Sequence, residues 1–265
     1  MNPSALQNLS PSAPSPAVTP CAAPHALTNA GTTRIRLWDA PMRVFHWSLL
    51  AAVATAIVTG KLGGDWMGVH GLAGRVIVGL LAFRVIWGLV GSTAARFATF
   101  WPTPAKLRAY LQGTWQGVGH NPLGALSVLA LLGLLATQAG TGLFGNDDIA
   151  FSGPLAVLVS EDWSQQLTRW HHQLATVLYV LLGLHTAAIA FYAVIKKNNL
   201  VRPMVTGWKE VTATTPAPRH ASLRALVVSV LLGWAAAYAV SGSWIHQGDT
   251  STPPATSATQ APATV

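Results

Sequence analysis

Five apolar stretches, each long enough to cross a bilayer as a helix, run through this 265-residue chain and narrow its possible architectures. A hydrocarbon layer of about 30 Å takes about 20 helical residues. Within that layer every backbone N–H and C=O must be satisfied by the protein itself, which leaves helices or a closed barrel. The stretches cover about Pro41 to Leu62, Gly68 to Gly91, Pro122 to Phe144, Asp162 to Ile195 and Leu223 to Trp244. Predominantly apolar runs of this length favour helices over strands. Pro41 and Pro122 suit first helical turns, and Asn121 suits an N-cap. Only 9% of residues are Asp, Glu, Lys or Arg, against about a quarter in soluble domains, while 51% are hydrophobic. A water-soluble enzyme is all but excluded, and the chain reads as an all-α integral membrane protein.

Residues 1–33 are rich in Pro, Ser, Ala and Thr and read as a disordered tail, as do residues 247–265. The first tail lacks the basic start and continuous apolar core of a secretory signal. The expected division is therefore the tail 1–33, a four-span domain over 34–210, a linker with the fifth span over 211–246, and the tail 247–265. A single cysteine, Cys21, excludes an internal disulfide, a Cys-rich zinc site, an iron–sulfur cluster and covalent haem attachment. Histidine is the main ligand type left, and there are nine.

The net charge of +8 raises the question of nucleic acid. Its distribution answers no. Arg34, Arg36, Arg43, Arg96, Lys106, Arg108, Lys196, Lys197, Arg202, Lys209, Arg219 and Arg224 all fall on one side of the predicted spans. The other side holds Lys61 and Arg169 against Asp65, Asp147, Asp148, Glu161, Asp162 and Asp249. By the positive-inside rule the basic side is cytoplasmic. The expectation is a multi-pass protein of a bacterial inner membrane, with a cytoplasmic N-terminus and a periplasmic C-terminus.

Polar side chains within a span are unfavourable in lipid and usually face the bundle interior, where they bind or relay something. His46 lies in the first span, His70 opens the second, and His171 and His185 lie in the fourth. The topology sorts them by depth into an outer pair, His70 with His171, and an inner pair, His46 with His185. His171 and His185 are 14 residues apart, about 40° short of four full turns, so they share a face about 21 Å apart. His172 points about 140° away from His185 and is the weaker candidate. Paired imidazoles from facing helices suit the axial ligation of b-type haem, and two pairs would stack two haems across the membrane. Metal transport or a proton relay remains open at this level, although copper or zinc would more often recruit acids or thiolates too. Arg84, 14 residues after His70, shares its face; it either pairs with an anion such as a haem propionate or snorkels. Trp47, Trp87, Trp170 and Tyr179 suit haem edges or, by default, interfacial belts. His120, in a Gly-His-Asn-Pro-Leu-Gly run, reads as incidental, with a capping or haem-edge role as the alternative.

The run Arg-Leu-Trp-Asp-Ala-Pro-Met-Arg-Val-Phe-His-Trp over 36–47 resembles the opening motif of the prokaryotic cytochrome b561 and nickel–iron hydrogenase cytochrome b subunit family. His70-Gly-Leu-Ala-Gly, Phe83-Arg-Val-Ile-Trp-Gly, Gly119-His-Asn-Pro-Leu-Gly and Asn199-Leu-Val-Arg-Pro-Met-Val-Thr-Gly extend the likeness over about residues 34–209. The resemblance implies a four-helix di-haem bundle with His46, His70, His171 and His185 as the axial ligands of two non-covalent haems b. The chain departs from the family in its fifth span, its polar tails, and His172 where the pattern often has Glu. The implied function is electron transfer in a respiratory chain between the quinone pool and a redox partner, such as a periplasmic c-type cytochrome. As an enzyme it would act as a component of a quinol:acceptor oxidoreductase. The alternative is the membrane anchor of a hydrogenase or other dehydrogenase, and a haem or metal transporter is the different class. The remaining expected partners are membrane lipid and quinone.

Overall fold

The computed structural model describes residues 31–149, 151–213 and 215–245. Most of both expected tails, with Cys21, His25 and His246, lies outside the described residues. The chain enters through strand β1 (Thr32–Arg36) and continues into helices α1 (Ala40–Leu62) and α2 (Met67–Val90). Two short helices, α3 (Phe97–Phe100) and α4 (Pro104–Leu111), lead to α5 (Pro122–Leu143) and α6 (Glu161–Val194). The short helix α7 (Val201–Thr206), strand β2 (Trp208–Thr212) and helix α8 (Leu223–Ala239) complete the order.

Local chemistry sets the helix starts. Asp39 accepts from the Met42 N–H at 2.7 Å to cap α1, and Asn121 accepts from the Gly124 N–H at 2.6 Å to cap α5, each just ahead of a proline in the first turn. Ser222 caps α8 through the Ala225 N–H at 3.2 Å. Glu161 and Asp162 place negative charge in the first turn of α6, where the helix dipole favours it.

Four helices, α1, α2 (with the turn before it), α5 and α6, are long and apolar enough to cross a membrane. They form two antiparallel hairpins, α1 with α2 and α5 with α6, joined along α2 and α5. Their starts and ends match the sequence expectation to within a residue or two. Side chains such as Val180, Leu184 and Val194 of α6 point outward and are at least 60% exposed, as lipid-facing residues do. At 34 residues, α6 is about 51 Å long and outreaches a hydrocarbon layer of about 30 Å.

The end with the α1–α2 and α5–α6 turns is here called the hairpin end; the opposite, basic end carries features the sequence did not announce. Strands β1 and β2 pair antiparallel, from Thr32 opposite Thr212 to Arg36 opposite Trp208. Thr32 and Thr33, expected in the tail, are therefore part of a ribbon, and β2 crosses the expected boundary at 210. The ribbon ties the lead into α1 to the exit from α7. Arg43 donates to the Val205 carbonyl at 2.5 Å and Trp47 to the Met204 carbonyl at 3.2 Å, closing the same seam. Trp47 is thus held to the protein rather than free in a belt. Trp87, another candidate belt residue, is buried and donates to Asp39 at 3.2 Å.

The fifth apolar helix, α8, stops at Ala239, five residues before the expected Trp244, because Val240 to Ile245 turn away through Gly242 at φ +70°. At 17 residues it spans about 25 Å, less than the other four. It packs along α2 through glycine. A Cβ at Gly79 would stand 2.9 Å from the Gly233 carbonyl oxygen, and one at Gly233 would stand 2.8 Å from that of Gly79. Ser229, fully buried beside this crossing, satisfies its hydroxyl on the Ala225 carbonyl at 2.8 Å. Small residues that let backbones touch are the usual basis of helix association in lipid. Replacing Gly233 with Val should destabilise the protein by about 1–3 kcal/mol through overpacking and release α8 from α2. Thermal unfolding in detergent, with protease accessibility of the 213–222 linker, reads both effects.

Candidate haem-binding site

An imidazole in an apolar bundle has two ring nitrogens to account for. Neutral, it carries one N–H that seeks an acceptor and one lone pair that can ligate. At the hairpin end both accounts close. His70, in the first turns of α2, places Nδ1 2.8 Å from the Ala56 carbonyl oxygen of α1. His171 of α6 places Nδ1 2.9 Å from the Gln138 carbonyl oxygen of α5, with the Thr141 hydroxyl 3.3 Å away. A carbonyl only accepts, so each Nδ1 is the protonated nitrogen and each Nε2 keeps its lone pair. This carbonyl contact is the usual way a metal-ligating histidine is oriented. The two rings face one another with centroids 6.0 Å apart and planes at 85°, a spacing that suits one ion shared between two imidazoles.

Around this pair the hairpins enclose a cavity of about 420 Å³, lined by apolar residues such as Ile77, Leu135 and Leu178 together with Gln138, Thr168 and Lys61. The volume is that of a cofactor pocket. Lys61 lies over the Tyr179 ring at 5.2 Å, so Tyr179 is engaged at the rim. His172 also lines the cavity, edge-on to His171 at 6.2 Å. Among the described residues, no group of three or more His, Cys, Asp and Glu comes together as a bare-ion site.

The second pair lies at the basic end. His46 and His185 are close enough to act on each other electrostatically. His46 stands edge-on to Trp47 at 5.4 Å, and its Nδ1 is buried without a hydrogen-bond partner. Arg84 is 2% exposed, so it does not snorkel. Its guanidinium lies 4.4 Å from the centre of the Phe97 ring, and its Nη1 is buried without a partner. A buried cation with a free N–H needs an anion. A haem propionate answers that need, and the donor set as a whole fits haem.

His120 is the residue that sequence reasoning undervalued. It sits between Trp38 and Phe100, ring centroids 4.7 and 4.8 Å away, with a buried, unpartnered Nδ1. Burial above all, then the charges of Arg84, His185 and His46, pushes its pKa down from 6.5 to about 4. The only available signal was its place in the Gly-His-Asn-Pro-Leu-Gly run. Because the unfolded chain takes up this proton near pH 6.5 and the folded one only near pH 4, His120 destabilises the fold as pH falls across that window. His120→Gln should flatten the fall by at most about 3 kcal/mol, read as the pH dependence of thermal unfolding between pH 4 and 6.5.

The family model described as prokaryotic cytochrome b561 matches residues 37–207, which include all four histidines and Arg84. A protein of Azotobacter chroococcum mcd 1 named probable Ni/Fe-hydrogenase B-type cytochrome subunit is 25% identical over 219 residues, 67% of this chain and 89% of its own length. The probable Ni/Fe-hydrogenase 1 B-type cytochrome subunit of Escherichia coli (strain K12) is 20% identical over 212 residues, 65% of this chain and 89% of its own. No solved structure gives a match. The chain belongs to the prokaryotic cytochrome b561 family, as a multi-pass membrane b-type cytochrome whose cofactor is haem b.

Proposed function

We propose that the chain is the membrane cytochrome b subunit of a hydrogenase-type complex, holding two haems b and passing single electrons between an external redox partner and membrane quinone. The observation that carries the haem reading is the hairpin-end pair, with each Nδ1 on a neighbouring helix carbonyl and both lone pairs left for one ion. The names of the relatives favour a hydrogenase partner over the stand-alone quinol cytochrome to which the sequence alone gives precedence. Haem b supplies one-electron chemistry when bound.

The chain's residues do the rest. His70 and His171 would hold the first haem, and His46 and His185 the second. Arg84 would hold a propionate of the second, and the apolar lining of the cavity excludes water and tunes the potentials. The basic end faces the cytoplasm by its charge, which puts the N-terminus inside and the hairpin end, with His70 and His171, on the periplasmic side of an inner membrane. In this arrangement α8 is a fifth, short span that covers α2, residues 34–210 form the haem-binding unit, and both tails stay outside it.

Purified protein should contain two low-spin haems b per chain. His185→Ala and His70→Ala should each remove one, and retention of both haems in either variant overturns that pair. Arg84→Gln should keep both haems but lower one midpoint potential by tens of millivolts, since about 1.4 kcal/mol corresponds to about 59 mV for one electron. In native membranes hydrogen should reduce both haems. Reduction by quinol but never by hydrogen would return the chain to the stand-alone reading.

A further inference from the structure

The two hairpins hold their hairpin-end histidines by one repeated device. In a helix the carbonyl of residue n accepts from the N–H of residue n+4, yet its oxygen has a second lone pair. An imidazole that donates to that lone pair must lie against residue n+4. His70 donates to the Ala56 carbonyl, and residue n+4 is Gly60. His171 donates to the Gln138 carbonyl, and residue n+4 is Gly142. A Cβ at Gly60 would stand 2.9 Å from the His70 Nδ1; one at Gly142 would stand 2.9 Å from the His171 Cε1 and 3.1 Å from its Nδ1. Any side chain at either position would lift the ring off its carbonyl.

We infer that Gly60 and Gly142 are positioning residues for the hairpin-end haem: by admitting each ring to its carbonyl, they lock the two ligand planes at right angles. This rests on the reading of His70 and His171 as axial ligands. The consequence is electronic. An Nδ1–H bonded to a carbonyl makes the ligand more basic, which favours the ferric state and lowers the potential. Crossed imidazole planes leave two iron d orbitals nearly degenerate, and the ferric haem then gives a highly anisotropic low-spin signal at large g. Planes closer to parallel split those orbitals and give an ordinary rhombic signal. The 85° between the rings is the crossed case.

The test uses the full haem-loaded chain in five forms: wild type, Gly60→Ala, Gly142→Ala, a control, Gly140→Ala, whose Cβ meets nothing within 4 Å, and His171→Ala as the reference for the hairpin-end haem. Haem content, low-temperature electron paramagnetic resonance of the oxidised protein, and a redox titration are read on each. In both test variants one signal should move from large g toward the rhombic form and one potential should rise. The other haem should be unchanged, and the control should match wild type. Loss of one haem supports the inference when it is the haem whose signal His171→Ala removes. Loss of the other haem, loss of both, or unchanged signals and potentials with both haems present overturns it. Should His171→Ala itself leave both haems and both signals in place, the ligand reading fails instead, which separates the two failures.

Discussion

An N–H placed in hydrocarbon must find an acceptor within the protein, and that demand organises the interior of this bundle. For His70 and His171 the acceptors are carbonyls of the neighbouring helix, at 2.8 and 2.9 Å. Each bond fixes a tautomer, a ring plane and the spacing of its hairpin at once. The same demand explains why α1 lies close against α2, and α5 against α6, at glycine. What remains uncommitted is the pair of Nε2 lone pairs, on two histidines that line one cavity. At the basic end the demand is not met by the chain itself: Arg84, His46 and His120 all bury a polar nitrogen without a partner. A cofactor with an iron centre and carboxylate arms would meet it.

Most of the bundle was legible because its signals are strong and local. Apolar runs above about 20 residues have few alternatives, and Asp39 with Pro41 and Asn121 with Pro122 mark helix starts to within a residue. The pairing of His70 with His171 followed from topology and helical phase alone, and the two rings do meet. The family follows from motifs spread over the first four spans, and the match to residues 37–207 bears it out.

What the sequence concealed depends on tertiary contact. The ribbon of β1 and β2 pairs segments more than 170 residues apart, and five-residue strands without a clean apolar alternation carry little local signal. Helix α8 ends at Ala239, where the run Ser241-Gly242-Ser243 and the positive φ of Gly242 turn the chain away before Trp244. His120 looked like a loop residue because nothing in its neighbourhood reveals Trp38 and Phe100 closing over it from two other segments. Gly60 and Gly142 are the sharpest case. Each is an unremarkable glycine in an apolar helix until the imidazole of a neighbouring helix is placed on it. Charge behaved differently from either class. The net +8 said little as a sum, but most of its basic residues gather at one end, and Arg84, buried within α2, is a group that asks for an anion.

The central claim is that paired histidines from facing helices are the axial ligands of two haems. Near-infrared magnetic circular dichroism of the oxidised full-length protein reads axial ligand pairs directly, through ligand-to-metal charge-transfer bands whose energies distinguish bis-imidazole from other ligation. The account predicts bis-imidazole bands for both haems, integrating to two per chain. A single haem, or a band showing methionine, water or an unligated position on either iron, would contradict it.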